Sequence, residues 1–150
     1  MIVASEHSVR RRVQFSETDA AGIVHFACFF RYMEEAEHAL WRANGLSIHP
    51  PESPIGWPRV GAAFEYHKAL KFEQEFDVTI RVTEITKRVI SYTCEITREQ
   101  QRIATGSLKI ACVSKLPDGT MRSAEIPEDI AGRFKPSGAP GFQPPASDLR

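Results

Sequence analysis

Residues 15–26 read FSETDAAGIVHF and set one carboxylate, Asp19, among small residues just ahead of a long amphipathic stretch. An acid in that place has two readings. It can be a turn residue that bonds its own backbone, as Asp often does. It can also act on a substrate as a general base or nucleophile. The second role needs donors for the charge that grows on the reacting oxygen. If a helix starts near Phe26, its first N–H groups have no partners inside the helix, and the macrodipole adds about half a positive charge at that end. Neither Val24 nor His25 is of the Ser, Thr, Asp or Asn type that usually caps such a start. Gly22, just upstream, has no side chain to block a ligand approaching the backbone. A carboxylate beside oxyanion donors is the minimal set for acyl transfer.

The flanking pattern supplies elements to hold that set. Val9, Val13 and Phe15 alternate with polar residues, as in a strand. From Phe26 to Asn44 the apolar positions Phe26, Phe29, Phe30, Met33, Ala36, Leu40 and Trp41 follow helical spacing. Such a helix is about 28 Å long, and Gly45 is a natural stop. Arg31, Glu34, Glu35 and His38 fall on its other face, as a solvated surface or a set of subunit contacts. Residues 46–58 hold four prolines and cannot continue the helix. They read as an ordered loop, with His49 a surface residue.

From Val60 onward the period becomes two. Val60, Ala62, Phe64, Tyr66, Leu70 and Phe72 share one parity. So do three further sets: Phe76, Val78, Ile80 and Val82; Ile90, Tyr92, Cys94 and Ile96; Leu108, Ile110 and Cys112. Alternation of this kind predicts antiparallel strands with one covered face. Residues 126–134 predict a short terminal helix with Pro127 near its start. The expectation is α+β: about five strands, four of them a meander, wrapped around one long helix. Residues 1–134 form the domain, and the Pro/Gly-rich residues 135–150 are expected to be a disordered tail.

Bulk properties narrow the function. A chain of 150 residues fits one domain. Nineteen basic and nineteen acidic residues cancel, which argues against nucleic-acid or anionic-membrane binding driven by overall charge. Cys28, Cys94 and Cys112 match no zinc spacing and, being odd in number, no disulfide framework. Buried thiols are the plain reading, with a nucleophilic Cys28 the alternative. No metal-ligand set is visible. Neither a signal peptide nor a membrane span appears, so a soluble cytoplasmic protein is expected.

The segment closely resembles the active-site stretch of the 4-hydroxybenzoyl-CoA thioesterase family, in the hot-dog superfamily. The shared pattern is an aromatic-ended strand, then D-x-x-G-[IV]-V, an aromatic or His, and a long helix. Here it reads F-S-E-T-D-A-A-G-I-V-H-F followed by ACFFRYMEEAEHALW. The likeness extends through the strands to A-E-I-P-E-D-I, about residues 9–134. It implies a hot-dog fold and hydrolysis of an acyl-CoA thioester, with coenzyme A part of the substrate and no cofactor. It implies Asp19 as the catalytic aspartate, base or nucleophile, and the Phe26 backbone N–H as the donor to the thioester carbonyl. His25 would line the acyl pocket or position water. Lys87 and Arg88 would grip coenzyme A, unless they are two solvated turn charges. Arg10, Arg11 and Arg12 form a denser basic run that reads as an exposed strand start. Homo-oligomers, dimer or tetramer, are the family's habit. Phe15, Phe26, Phe29, Phe30 and Trp57 are either an aromatic acyl pocket or core. Two other functions fit the same scaffold: a non-catalytic acyl-CoA or acyl-carrier binding module, and a dehydratase, to which His25 with Asp19 is a poor match.

Overall fold

A computed structural model describes residues 5–136, so nearly all of the expected tail lies outside the described residues. The chain runs β1 (Glu6–Arg12), a single 3-10 turn (Phe15–Glu17), α1 (Cys28–Ala43), β2 (Ile55–Gly56), β3 (Arg59–Tyr66), β4 (Glu75–Ile85), β5 (Val89–Arg98), β6 (Gln101–Ala111), β7 (Val113–Lys115), β8 (Met121–Ser123) and α2 (Glu128–Ala131). The large sheet is antiparallel in the order β1-β4-β5-β6-β3, and β2, β7 and β8 form a small second sheet. With one long helix against one antiparallel sheet, this is the α+β hot-dog arrangement.

The period-two residues of β4, β5 and β6 face inward as expected, whereas Val60, Tyr66 and Phe72 of the first set are exposed. Phe76, Val78, Ile80, Val82, Ile90, Tyr92, Cys94, Ile96, Leu108 and Ile110 are all buried against α1. Each large aliphatic side chain hidden this way contributes about 1.5–3 kcal/mol. Leu40, Ala36, Met33 and Phe29 meet them from the helix. The β5–β6 hairpin closes through Glu99 (φ 50°) and Gln100 (φ 65°), two successive left-handed residues. That backbone matches the twist of the strands it joins.

Three expectations change. The helix starts at Cys28 rather than Phe26, because residues 25–27 make a turn of their own. Phe26 is accordingly 63% exposed rather than core, and the buried stripe gains Tyr32 and Glu37. The expected four-strand meander is three strands, β4-β5-β6; β3 pairs with β6 on the far side, Phe64 opposite Gly106. The chain therefore crosses the end of the sheet from β3 to β4 through residues 67–74. This crossover is pinned in passing: Val24 N–H donates to Leu70 O at 2.8 Å, and Ile23 bridges Lys71. The Pro-rich loop also contributes the short strand β2.

Glu37 is fully buried and is held by Arg59, with N···O distances of 2.6 and 3.1 Å. Next to it Trp41 Nε1 donates to the Tyr92 hydroxyl at 2.9 Å. Burial lifts the Glu37 carboxyl above its ordinary range, and the guanidinium works against that rise.

Candidate active site

Residues 18–24 fold into a small loop closed by a Thr18–Val24 bridge. Within it Asp19 N–H donates to Ile23 O at 2.8 Å, and Gly22 N–H to Asp19 O at 3.0 Å. The turn needs Gly22 at φ 79°, a conformation costly for other residues. A Cβ there would meet nothing within 4 Å, so the glycine serves the backbone angle first.

Asp19 fills the turn role and leaves an oxygen over. Its Oδ1 accepts Ala21 N–H at 2.8 Å and Ile23 N–H at 3.4 Å. None of the described residues donates to Oδ2. The half-buried carboxylate lines a cleft of about 290 Å³ with Ile23, Val24, Phe26, Phe29 and Leu70, closed on its other side by Tyr66, His67 and Lys68. A hollow of about 310 Å³ on the outer face of the sheet is polar instead, and its Arg81 and Arg102 are held by Glu6 and Glu95.

At the helix start the amides are not equivalent. Cys28 N–H donates to His25 O at 2.9 Å. Ala27 N–H donates to His25 Nδ1 at 3.1 Å, so the neutral ring carries its proton on Nε2. Among the described residues none accepts the Phe26 N–H. A planar trans peptide sets N–H opposite C=O. With His25 O turned into the helix, the Phe26 N–H points out of it.

His25 therefore turns its ring onto the Ala27 amide in the turn ahead of the helix and is not among the residues that line the cleft, and the ring stacks on Phe26 at 4.6 Å. Glu17 braces the same loop: its backbone O accepts His25 N–H, and its side chain takes Gln14 N–H and the Arg11 guanidinium. Cys28 donates its thiol to Glu17 O, and burial holds its pKa up, which keeps it from being a thiolate nucleophile. Half-buried Trp57 packs on Trp41 at the edge of the core and Phe15 is 76% exposed, and neither lines the Asp19 cleft.

Lys87 and Arg88 are not near Asp19 within one protomer. They sit on the β4–β5 hairpin, about 33 Å of strand from the β4 end beside Asp19. There Arg88 donates to Ser123 Oγ at 3.3 Å.

Sequence reasoning missed the opposite wall. Tyr66 donates its hydroxyl to Phe26 O at 2.9 Å, and desolvation keeps the phenol protonated by raising its pKa. Lys68 reaches Gln101 Oε1 at 2.8 Å. The end of β3 and the crossover that follows it bring residues 66–70 to the helix start, and an alternating sequence assigned to a plain meander does not signal it.

Residues 13–134 match the family model described as the thioesterase-like superfamily. A putative esterase of Aquifex aeolicus is 34% identical over 101 residues, covering 67% of this chain and 79% of that protein. The acyl-CoA thioesterase YbgC of Haemophilus influenzae is 23% identical over 125 residues, covering 82% and 90%. In fold, the chain superposes on 4-hydroxybenzoyl-CoA thioesterase with a TM-score of 0.77 at 17% identity, covering 87% of this chain and 99% of that one. The chain belongs to the thioesterase-like superfamily, a thioester hydrolase by class on a hot-dog fold.

Proposed function

We propose that the protein hydrolyses acyl-CoA thioesters at the Asp19 cleft. One observation carries this reading: Asp19, whose Oδ2 has no donor among the described residues, and Phe26, whose N–H has no acceptor among them, line the same cleft. The thioester oxygen takes the Phe26 N–H. Charge grows on that oxygen as the carbonyl carbon becomes tetrahedral, so the bond strengthens where it lowers the barrier. Asp19 Oδ2 removes a proton from the attacking water, or attacks the carbon itself to give a mixed anhydride that water then opens. In both routes the thiolate of coenzyme A leaves. The Ala21 and Ile23 amides on Oδ1 fix the carboxylate and leave Oδ2 without a donor among the described residues.

The walls favour an apolar acyl group, since Ile23, Val24, Phe29 and Leu70 surround the acid. Lys68 is the cation at the rim, suited to a phosphate of coenzyme A. Lys87 and Arg88 join it only if a second subunit brings them. Such a partner fits the half-open cleft, whose Phe26 and Tyr66 are 63% and 44% exposed. Three free thiols suit the reducing cytoplasm. A dehydratase is disfavoured because the His25 Nδ1 is already used on Ala27.

The test is a panel of acetyl-, butyryl-, octanoyl- and benzoyl-CoA with released thiol as the readout. Asp19→Asn is expected to bind the preferred thioester normally and to lose at least about a thousandfold in kcat, on the scale of removing a catalytic group. A near-normal kcat in that variant rejects the assignment. Binding of the panel without thiol release by the wild type would make the protein a carrier instead.

A further inference from the structure

The peptide that joins Phe26 to Ala27 is held at both polar ends. Its oxygen accepts the Tyr66 hydroxyl at 2.9 Å, and its N–H donates to His25 Nδ1 at 3.1 Å. The peptide before it, which carries the Phe26 N–H, is held through His25 O by Cys28 N–H. The two planes meet at the Phe26 Cα and are related only by its two soft dihedrals. Fixing both planes fixes the direction of the Phe26 N–H.

Tyr66 is well placed to act in this way. It is the last residue of β3, on the opposite wall of the cleft. Its ring lies edge-on to Phe29 at 5.0 Å and stacked with Phe64 at 6.2 Å. These contacts hold the ring with or without its oxygen. The hydroxyl therefore adds a tie between the sheet wall and the helix start that packing does not supply.

We propose that Tyr66 is a positioning residue for thioester hydrolysis: acting through the Phe26 carbonyl, its hydroxyl aims the Phe26 N–H at the oxygen of the substrate carbonyl. The inference rests on the reading of the Asp19 cleft as a thioesterase site. Tyr66 touches no reacting atom in it. The bond matters most when the oxygen carries charge, because hydrogen bonding to an anion is steeper in geometry and energy than bonding to a neutral carbonyl.

The experiment uses the full chain, the panel thioester that the wild type cleaves fastest, and three variants: Tyr66→Phe, His25→Ala and both together. Tyr66→Phe is expected to lower kcat about tenfold, to leave KM within about twofold, and to leave the melting temperature within a few degrees. Because Tyr66 and His25 hold one peptide, the double variant is expected to lose less than the product of the two single losses. An unchanged kcat in Tyr66→Phe, with Asp19→Asn inactive, overturns the role of Tyr66 and leaves the hydrolase reading standing. A loss shared between KM and melting temperature marks a merely structural tyrosine and overturns it too. Fully multiplicative losses also count against it. If the wild type releases thiol from no member of the panel, both readings fall.

Discussion

A carboxylate has two oxygens, and at Asp19 the turn uses only one of them. Oδ1 is spent on the turn, Oδ2 takes no donor from the described residues, and the residue lines the cleft. The neighbouring Gly22 makes that division possible through its backbone angle. Substituting Val there meets no steric wall, yet forces a β-branched residue to φ 79°. Gly22→Val is expected to cost about 1–2 kcal/mol of stability, and Gly22→Asn distinctly less, since Asn tolerates the left-handed region. Denaturant unfolding of the two variants measures it; equal losses would show that the angle is not the constraint. At this scale the sequence singles out Asp19, Gly22 and Phe26 because they are close in the chain and have recognisable types, and the loop and the first turn before the helix bring them together. For His25 the sequence leaves pocket lining and water positioning open, and a ring nitrogen that accepts the amide two residues on has no compositional signature. Tyr66 and Lys68 were invisible as site residues because nothing local ties them to Asp19.

At the level of elements, α1 and its sheet follow from periodicity alone, and the buried stripe departs from it at Glu37. A charged residue at an inward helical position is legible as an anomaly, but its partner Arg59 is 22 residues away and sits on another element. The pair makes the helix–sheet contact sensitive to pH. Burial raises the folded pKa of Glu37 above its ordinary 4.5. A carboxyl shifted that way contributes its full stability below its unfolded pKa and loses it as pH rises through the folded value. Glu37→Gln cannot ionise, so its melting temperature is expected to gain on that of the wild type as pH rises across that window. Parallel melting curves over the whole range would show that Glu37 has no raised pKa. The meander was overextended for a related reason. Alternation reports which face of β3 is covered, and says nothing of which strand lies beside it.

For the molecule as a whole, the two sheet edges differ. β1 carries Glu6, Arg10 and Arg12, paired across to Arg81, Asp77 and Glu75; charged edges of this kind discourage further pairing. β3 offers Val60, 60% exposed, and ends at the half-open cleft. A second copy added along β3 would cover both. Val60→Lys is expected to shift a dimer toward monomer, with light scattering at several concentrations as the measurement. A wild type that stays monomeric throughout removes the basis for this assembly.

The crossover of residues 67–74 links two strands that are not neighbours, and it forms one side of the cleft while lying outside every ladder of the large sheet. Its composition can therefore drift without upsetting strand alignment. On the proposed thioesterase reading, Ala69 borders the space an acyl group takes without belonging to the core, so its substitution is expected to shift the preferred thioester of the panel, whereas Leu70, 1% exposed, serves the core as well as the cleft.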